Sequence, residues 1–238
     1  MNLTLDIGNT AVKWATFEGR TLVESGKWSV ESEEWKEGCK KWGNIDNAMA
    51  CVSGDDEILE HISKTLGYMI STFNSETPLP IKIDYKTPAS LGPDRIAAAC
   101  GAWGLHMGEA SLIIDAGTCI TVDYLDADGV YHGGAIMPGL GMSLRALHEQ
   151  TARLPLVEPA GAPRIPGRST EESILAGTVG ATMLALAGFV TLYRQRSPEL
   201  NVLLTGGDAT RLTAAGVSGW EQAPNLTLAG LNEILTRN

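Results

Sequence analysis

The sequence predicts an α/β protein built twice, as two similar lobes facing each other across a cleft. Three observations predict it. Residues 3–20 (LTLDIGNTAVKWATFEGR) and residues 111–131 (SLIIDAGTCITVDYLDADGVY) share one design: an apolar strand ending at an Asp, a Gly-bearing turn and a return strand. Each copy is followed by alternating helical and strand patterns. The chain has 238 residues, 44% of them apolar, enough for two cores of roughly 110 to 120 residues each.

Taken in order, Leu3, Leu5 and Ile7 alternate as a strand does, residues 8–10 turn, and Val12, Trp14, Ala15 and Phe17 return. A turn at Gly19 and Arg20 leads to a third strand over 22–28, completing an antiparallel meander. Residues 29–75 are mixed. They hold a charged, Trp-bearing helical stretch, an apolar run over 48–52 and a helix over 55–66. A Pro-rich link at 77–80 leads into IKIDYKTPASLGPDRIAAACGAWGLH, where a strand gives way to a loop and then to a helix starting near Asp94. The second meander has strands at 112–115, 120–124 and 131–136, with a turn over 126–129. Pro138 and Gly139 introduce an amphipathic helix with Leu144, Leu147 and Thr151 along one side. After a Pro- and Gly-rich loop over 154–167, Ser169 and Glu172 form the signature of a capping box for a long Ala- and Gly-rich helix. A strand at 202–204 runs into TGGDATRL, and a terminal helix follows. The lobes divide at 1–108 and 109–238.

Totals exclude several classes. A formal charge of −10 with scattered Lys and Arg gives no basic stripe, so no nucleic-acid partner is expected. Cys39, Cys51, Cys100 and Cys119 form no C-x-x-C pair and follow no leader, which points to reduced thiols in a cytoplasm and to no structural zinc. Cys119, inside the second repeat, reads as a small buried thiol. Residues 174–192 carry no charge and imitate a membrane span. Their Gly, Ala and Thr content, flanked by Glu171, Glu172, Arg194 and Arg196, reads instead as a helix packed on all sides, a second subunit being one candidate neighbour. No membrane association is expected.

The two turns carry chemistry. A Gly turn exposes backbone N–H groups, and a neighbouring Asn or Thr adds side-chain donors, so the turn can seat phosphate oxygens. The Asp before it repels phosphate but can hold a cation that does not. Asp6 with Gly8, Asn9, Thr10 and Lys13 fits, and Asp115 with Gly117, Thr118, Thr121 and Asp123 fits again. For a single copy the blander reading is an Asp bonded to its own backbone beside a Gly. Two copies at matching positions favour a nucleotide clamped between lobes. TGGDA over 205–209 adds a Gly pair able to lie close to a ring or ribose, or to be a simple loop. The chain contains neither G-x-x-x-x-G-K-[ST] nor G-x-G-x-x-G, which disfavours P-loop and dinucleotide folds. Asp94 and Arg95, at the mouth of a helix, offer a carboxylate to a cleft and a guanidinium to a substrate carboxylate; Asp94 reads equally as a helix cap. His61, His106, His132 and His148 have no catalytic partner in any motif.

DIGNT, GPDR, DAGTCIT, GGAIMPG and GRST occur in this order over nearly the whole chain. The set resembles the type III pantothenate kinases, a branch of the superfamily of actin, acetate kinase and the sugar kinases. The resemblance implies two duplicated ribonuclease H-like lobes with an interlobe nucleotide cleft, a homodimer, magnesium ATP as donor and a need for potassium or ammonium. It implies transfer of the γ-phosphoryl group to the primary hydroxyl of pantothenate, the first step towards coenzyme A. By position, Asp6, Ile7, Gly8, Asn9, Thr10, Ala11, Val12 and Lys13 would bind ATP phosphates, and Thr118 would touch ATP. Asp94 would accept the hydroxyl proton, and Asp115 would hold the monovalent cation. Gly92, Pro93, Asp94 and Arg95 would cradle pantothenate, with Tyr85 and Thr170 also in contact. Pro93 and Ser169 depart from the family's usual residues. Two rival readings are another small-molecule kinase of the superfamily and a nucleotide-binding regulator without turnover; the second sits badly with having both Asp94 and Asp115.

Overall fold

The computed structural model describes residues 1–43, 45–73, 77–159 and 161–237. Positions 44, 74 and 75 of the mixed stretch and position 160 of the Pro- and Gly-rich loop lie outside the described residues. The chain is α/β and clusters into two compact units, residues 1–108 with 127–132 and 225–238, and residues 109–126 with 133–224.

The first unit opens on β1 (Asn2–Ile7), β2 (Ala11–Glu18) and β3 (Thr21–Ser29), the expected antiparallel meander. Helix α1 (Trp35–Gly38) lasts one turn and continues as a 3-10 turn over Cys39–Lys41. The Trp-bearing stretch is short because its aromatic rings pack: Trp42 turns extended and joins Trp14 and Trp28, with ring centroids 5.3 to 5.5 Å apart. Strand β4 (Asn47–Val52) lies parallel to β1. Helix α2 (Asp56–Leu66) is capped by Asp55, whose carboxylate accepts from Glu57 N at 2.9 Å, and ends at Gly67. Strand β5 (Ser71–Thr72) pairs with β4, giving the sheet order β3-β2-β1-β4-β5. Leu3, Leu5, Ile7, Trp14, Ile58 and Ile62 fill the core on one face, each fully buried aliphatic side chain contributing about 2 kcal/mol. Strand β6 (Lys82–Ile83) pairs with Val130 and Tyr131, and α3 (Pro93–Leu105) follows.

The second unit repeats the scheme with β7 (Ser111–Ala116), β8 (Cys119–Leu125) and β9 (Val130–Pro138). Helix α4 (Leu140–Glu149) precedes a continuous helical stretch made of α5 (Thr170–Leu175), a π turn over Ala176–Gly180, and α6 (Ala181–Arg196). Strand β10 (Asn201–Thr205) runs parallel to β7, and α7 (Ala209–Ala214) leads to β11 (Glu221–Gln222), which pairs with β10. Five strands in the order β9-β8-β7-β10-β11 match the first sheet, and β6 adds a sixth strand at the β9 edge. The duplication read from two turns therefore extends through five strands.

Half of the capping box at Ser169 forms: its hydroxyl accepts from Glu172 N at 3.1 Å, while the Glu172 carboxylate accepts from Arg168 N, one residue before the cap, at 2.6 Å. The long helix is not packed on all sides within this chain. Val179, Leu186 and Val190 pack into the core under β7, β8 and β10, whereas Leu184 and Leu192 are 67% and 59% exposed. It is long and apolar enough to cross a membrane by length and composition alone; its buried side belongs to the core of the second unit.

Helix α8 (Leu226–Leu235) departs from the division expected at residue 109. It belongs to the first unit and packs on α3. Glycines at the crossing are the physical reason, since a Cβ on Gly230 would collide with the Ala97 carbonyl and one on Gly101 with the Leu226 carbonyl. Asn232 Nδ2 donates to Gly19 O at 2.8 Å, and Arg20 pairs with Glu233 at 2.8 Å, tying α8 to the first hairpin.

Candidate functional site

In the first unit, antiparallel register puts Lys13 across from Asp6, and parallel register puts Cys51 beside it. Asp6 is 6% exposed. Its Oδ2 lies 3.0 Å from Lys13 Nζ, and its Oδ1 accepts from Cys51 Sγ at 3.5 Å. The turn closes with Gly8 N donating to Ala11 O at 3.0 Å, leaving Asn9 exposed. The loop after β4 buttresses this turn. Ser53 N and Gly54 N both donate to Ile7 O, Asn9 Nδ2 donates to Ser53 O at 3.3 Å, and a Cβ on Gly54 would sit 2.5 Å from Gly8 O.

Asp94 belongs to the same unit. Gly92 is the N-cap of α3 and Pro93 its first residue, where a missing N–H and a fixed φ cost nothing. The helix thus starts one residue earlier than read, and Asp94 is not its N-cap. Its Oδ1 accepts from Arg95 N at 2.9 Å, and a Cβ on Gly92 would sit 2.5 Å from that oxygen. Burial pushes the Asp94 carboxyl above the usual carboxylate range, the Arg95 N–H pulls it partly back, and the negative charge of Asp6 pushes it up again. Arg95 is buried. Tyr85 is half-buried against Tyr131, with ring centroids 6.3 Å apart.

The second unit holds the other turn. Gly117 N donates to Cys119 O at 3.0 Å, Asp115 is half-buried and Thr118 is exposed. Register puts Thr121 and Thr205 beside Asp115, where Lys13 and Cys51 stand beside Asp6. Gly206, with φ +95°, lies so close that a Cβ there would collide with Asp115 Oδ1 and the Ala116 carbonyl. Gly139 likewise abuts the Gly117 and Thr118 carbonyls and accepts no side chain. Asp208 N donates to Ala116 O at 2.8 Å, the counterpart of the Gly54 bond to Ile7 O. TGGD therefore approaches its own chain's backbone. Thr170 is exposed, the first residue of α5.

Sequence reasoning missed Cys51, Ser53 and Gly54. The signal was present: CVSGD after the fourth strand of the first unit corresponds to TGGD after the fourth strand of the second. Cys119 corrects the earlier expectation, being exposed, while Cys39, Cys51 and Cys100 are buried; all four are free thiols.

Among the described residues no group of three or more His, Cys, Asp or Glu side chains could hold a metal ion. Asp115 offers a carboxylate flanked in register by Thr121 and Thr205, oxygen-bearing groups of the kind that suit a hard cation and not zinc. The first unit's ammonium, turn N–H groups and Asn9 amide suit phosphate.

A family model described as Type III pantothenate kinase matches residues 2–192. The type III pantothenate kinase of Phocaeicola vulgatus is 39% identical over the whole of this chain and 99% of its own length. That of Bacteroides fragilis is 40% identical over the whole of this chain and 98% of its own. Among solved structures, a putative Baf family transcriptional activator from Campylobacter jejuni gives a TM-score of 0.65 at 20% identity, covering 99% of this chain and 98% of that one. A ROK family glucokinase from Streptomyces griseus, in complex with glucose and AMPPNP, gives 0.51 at 11% identity, covering 100% and 99%. At these identities the structural likeness carries the fold alone.

Proposed function

The chain belongs to the type III pantothenate kinases and phosphorylates pantothenate with ATP in coenzyme A biosynthesis, and from that premise we propose which of its residues do so. The turn from Asp6 through Ile7, Gly8, Asn9, Thr10, Ala11 and Val12 to Lys13 binds the ATP phosphates. Thr118 touches ATP. Asp94 accepts the proton of the pantothenate primary hydroxyl. That oxygen bonds the γ-phosphorus, the bridging bond to the β-phosphate breaks, and ADP leaves. Gly92, Pro93 and Arg95 cradle pantothenate, Arg95 pairing with its carboxylate, and Tyr85 and Thr170 add contacts.

The donor is ATP with a divalent metal, proposed to be magnesium, which neutralises phosphate charge. Asp115 and its neighbouring carbonyls hold potassium or ammonium. Phosphoryl transfer asks mainly for positioning and charge neutralisation, and the first unit supplies an ammonium paired with Asp6 and a carboxyl, Asp94, that feels the Asp6 charge. The observation that carries the proposal is the placement of the Asp94 carboxyl in the first turn of α3 beside the buried Arg95, where burial first and the charge of Asp6 after it raise its pKa, the direction that favours accepting a proton.

A homodimer is proposed from the exposed apolar side of the Thr170–Arg196 helix, beside a groove of about 430 Å³ lined by Met183, Leu184, Val217 and Trp220. Light scattering coupled to size exclusion reads its mass; a monomer at working concentration removes it. A cytoplasmic location completes the reading. The deciding experiment is a coupled ADP-release assay with pantothenate against a panel of other hydroxy acids and sugars, in potassium and in sodium. Turnover specific to pantothenate and stronger in potassium is expected; equal rates in the two salts would remove the cation role.

A further inference from the structure

Cys51 has no part in the chemistry above, yet it touches the buried carboxylate of the first turn. It is 2% exposed, sits beside Asp6 in the parallel register of β4 on β1, and lies 3.5 Å from Asp6 Oδ1. We propose that Cys51 is a positioning residue for phosphoryl transfer, its S–H donating to Asp6 Oδ1 so that the carboxylate keeps one orientation when Lys13 turns from Oδ2 to the phosphates.

Lys13 is the most exposed member of the trio. Its side chain is 37% exposed and carries the charge that phosphate attracts. Once it moves, a buried carboxylate left without donors is costly, and a fixed neighbour in the adjacent strand limits that cost. A thiol suits the place because it is small, packs as a hydrophobe and still donates weakly. Burial first, then the charges of Asp6 and Asp94, push its pKa well up, so the thiol stays protonated and able to donate. The second unit repeats the device: Thr205, 5% exposed, occupies the equivalent position and sets a hydroxyl-bearing residue beside Asp115.

The proposal rests on the Asp6 assignment above, and the test separates the two. Cys51→Ala, Cys51→Ser and Asp6→Asn are assayed as full-length proteins with ATP and pantothenate, with thermal unfolding alongside. Cys51→Ala is expected to lower kcat/KM for ATP roughly 10-fold, as loss of an orienting partner does, with the KM for pantothenate unchanged. Cys51→Ser, keeping a donor, is expected to recover most of that loss. Wild-type kcat/KM in Cys51→Ala overturns the proposal. So does a Ser variant as impaired as the Ala variant, or a loss spread over both substrates that tracks a fall in Tm, since either marks simple packing. An active Asp6→Asn overturns the Asp6 assignment itself, whereas an inactive Asp6→Asn beside an unimpaired Cys51→Ala overturns only the thiol's part.

Discussion

The two Asp-bearing turns occupy equivalent places in two sheets that share a five-strand order, but their neighbours differ in kind. Asp6 is buried between a lysine and a cysteine, while the half-buried Asp115 lies beside two threonines and beneath Gly206. Duplication therefore preserved the position of a carboxylate and changed what the carboxylate can do. With an ammonium at 3.0 Å, the first turn has a positive charge that the proposed function aims at phosphate. With threonines and a glycine beside its carboxylate, the second has oxygen groups that the proposed function gives to a cation.

The comparison can be broken at several points, beginning with the residue that has no counterpart in the second turn. Asp94→Asn should lower turnover about 10³-fold, within the usual range for loss of a general base, while ATP binding measured by calorimetry survives. Near-normal activity would end the assignment. Making the first turn resemble the second, Lys13→Thr should reduce kcat/KM for ATP by about 10²-fold, the scale of a lost charge-stabilising donor; a change confined to pantothenate KM would contradict the phosphate role. The reciprocal Thr121→Lys sharpens the contrast, because an ammonium opposite Asp115 should make activity in sodium equal that in potassium. Continued potassium dependence would show that the cation lies elsewhere.

Smaller effects follow. Gly206→Ala, forced to φ +95° against the Asp115 carboxylate, should cost about 1–3 kcal/mol of stability and weaken potassium activation, read by denaturant melts and a salt titration. The smallest effect concerns Asp94 and stability. Its carboxyl is raised in the folded state, so ionising it opposes folding. Stability from this group is fully present below the ordinary carboxylate pKa and is lost as pH rises through the raised value. Asp94→Asn should therefore melt slightly above wild type at neutral pH, and the gap should close as pH falls towards the ordinary value. A gap independent of pH would show that burial does not strain the carboxyl.

Both meanders were legible in the sequence because strict alternation and Gly turns are local signals; Asp6 and Asp115 stood at their first turns, and Asp94 at the start of a helix marked by Gly92 and Pro93. Cys51 and Gly54 were not, because what gives them meaning is a parallel neighbour more than 40 residues away in the chain, and a small residue after a short apolar run announces nothing by itself. Helix α8 was read with the wrong half for a related reason. It is apolar on most sides, and the pattern says that it is buried without saying against which sheet. Gly230 decides the matter only once Ala97 is known to face it. Cys119 failed differently: a residue type that is usually buried opens a strand at an exposed turn.

The docking of α8 on α3 also orders the birth of the molecule. As the polypeptide emerges from the ribosome, residues 1–108 appear well before the helix that lies against Ala97 and the first hairpin, whereas residues 109–126 and 133–224 of the second unit are all made before that helix. The set of contacts that completes the first unit is therefore the last that synthesis makes available.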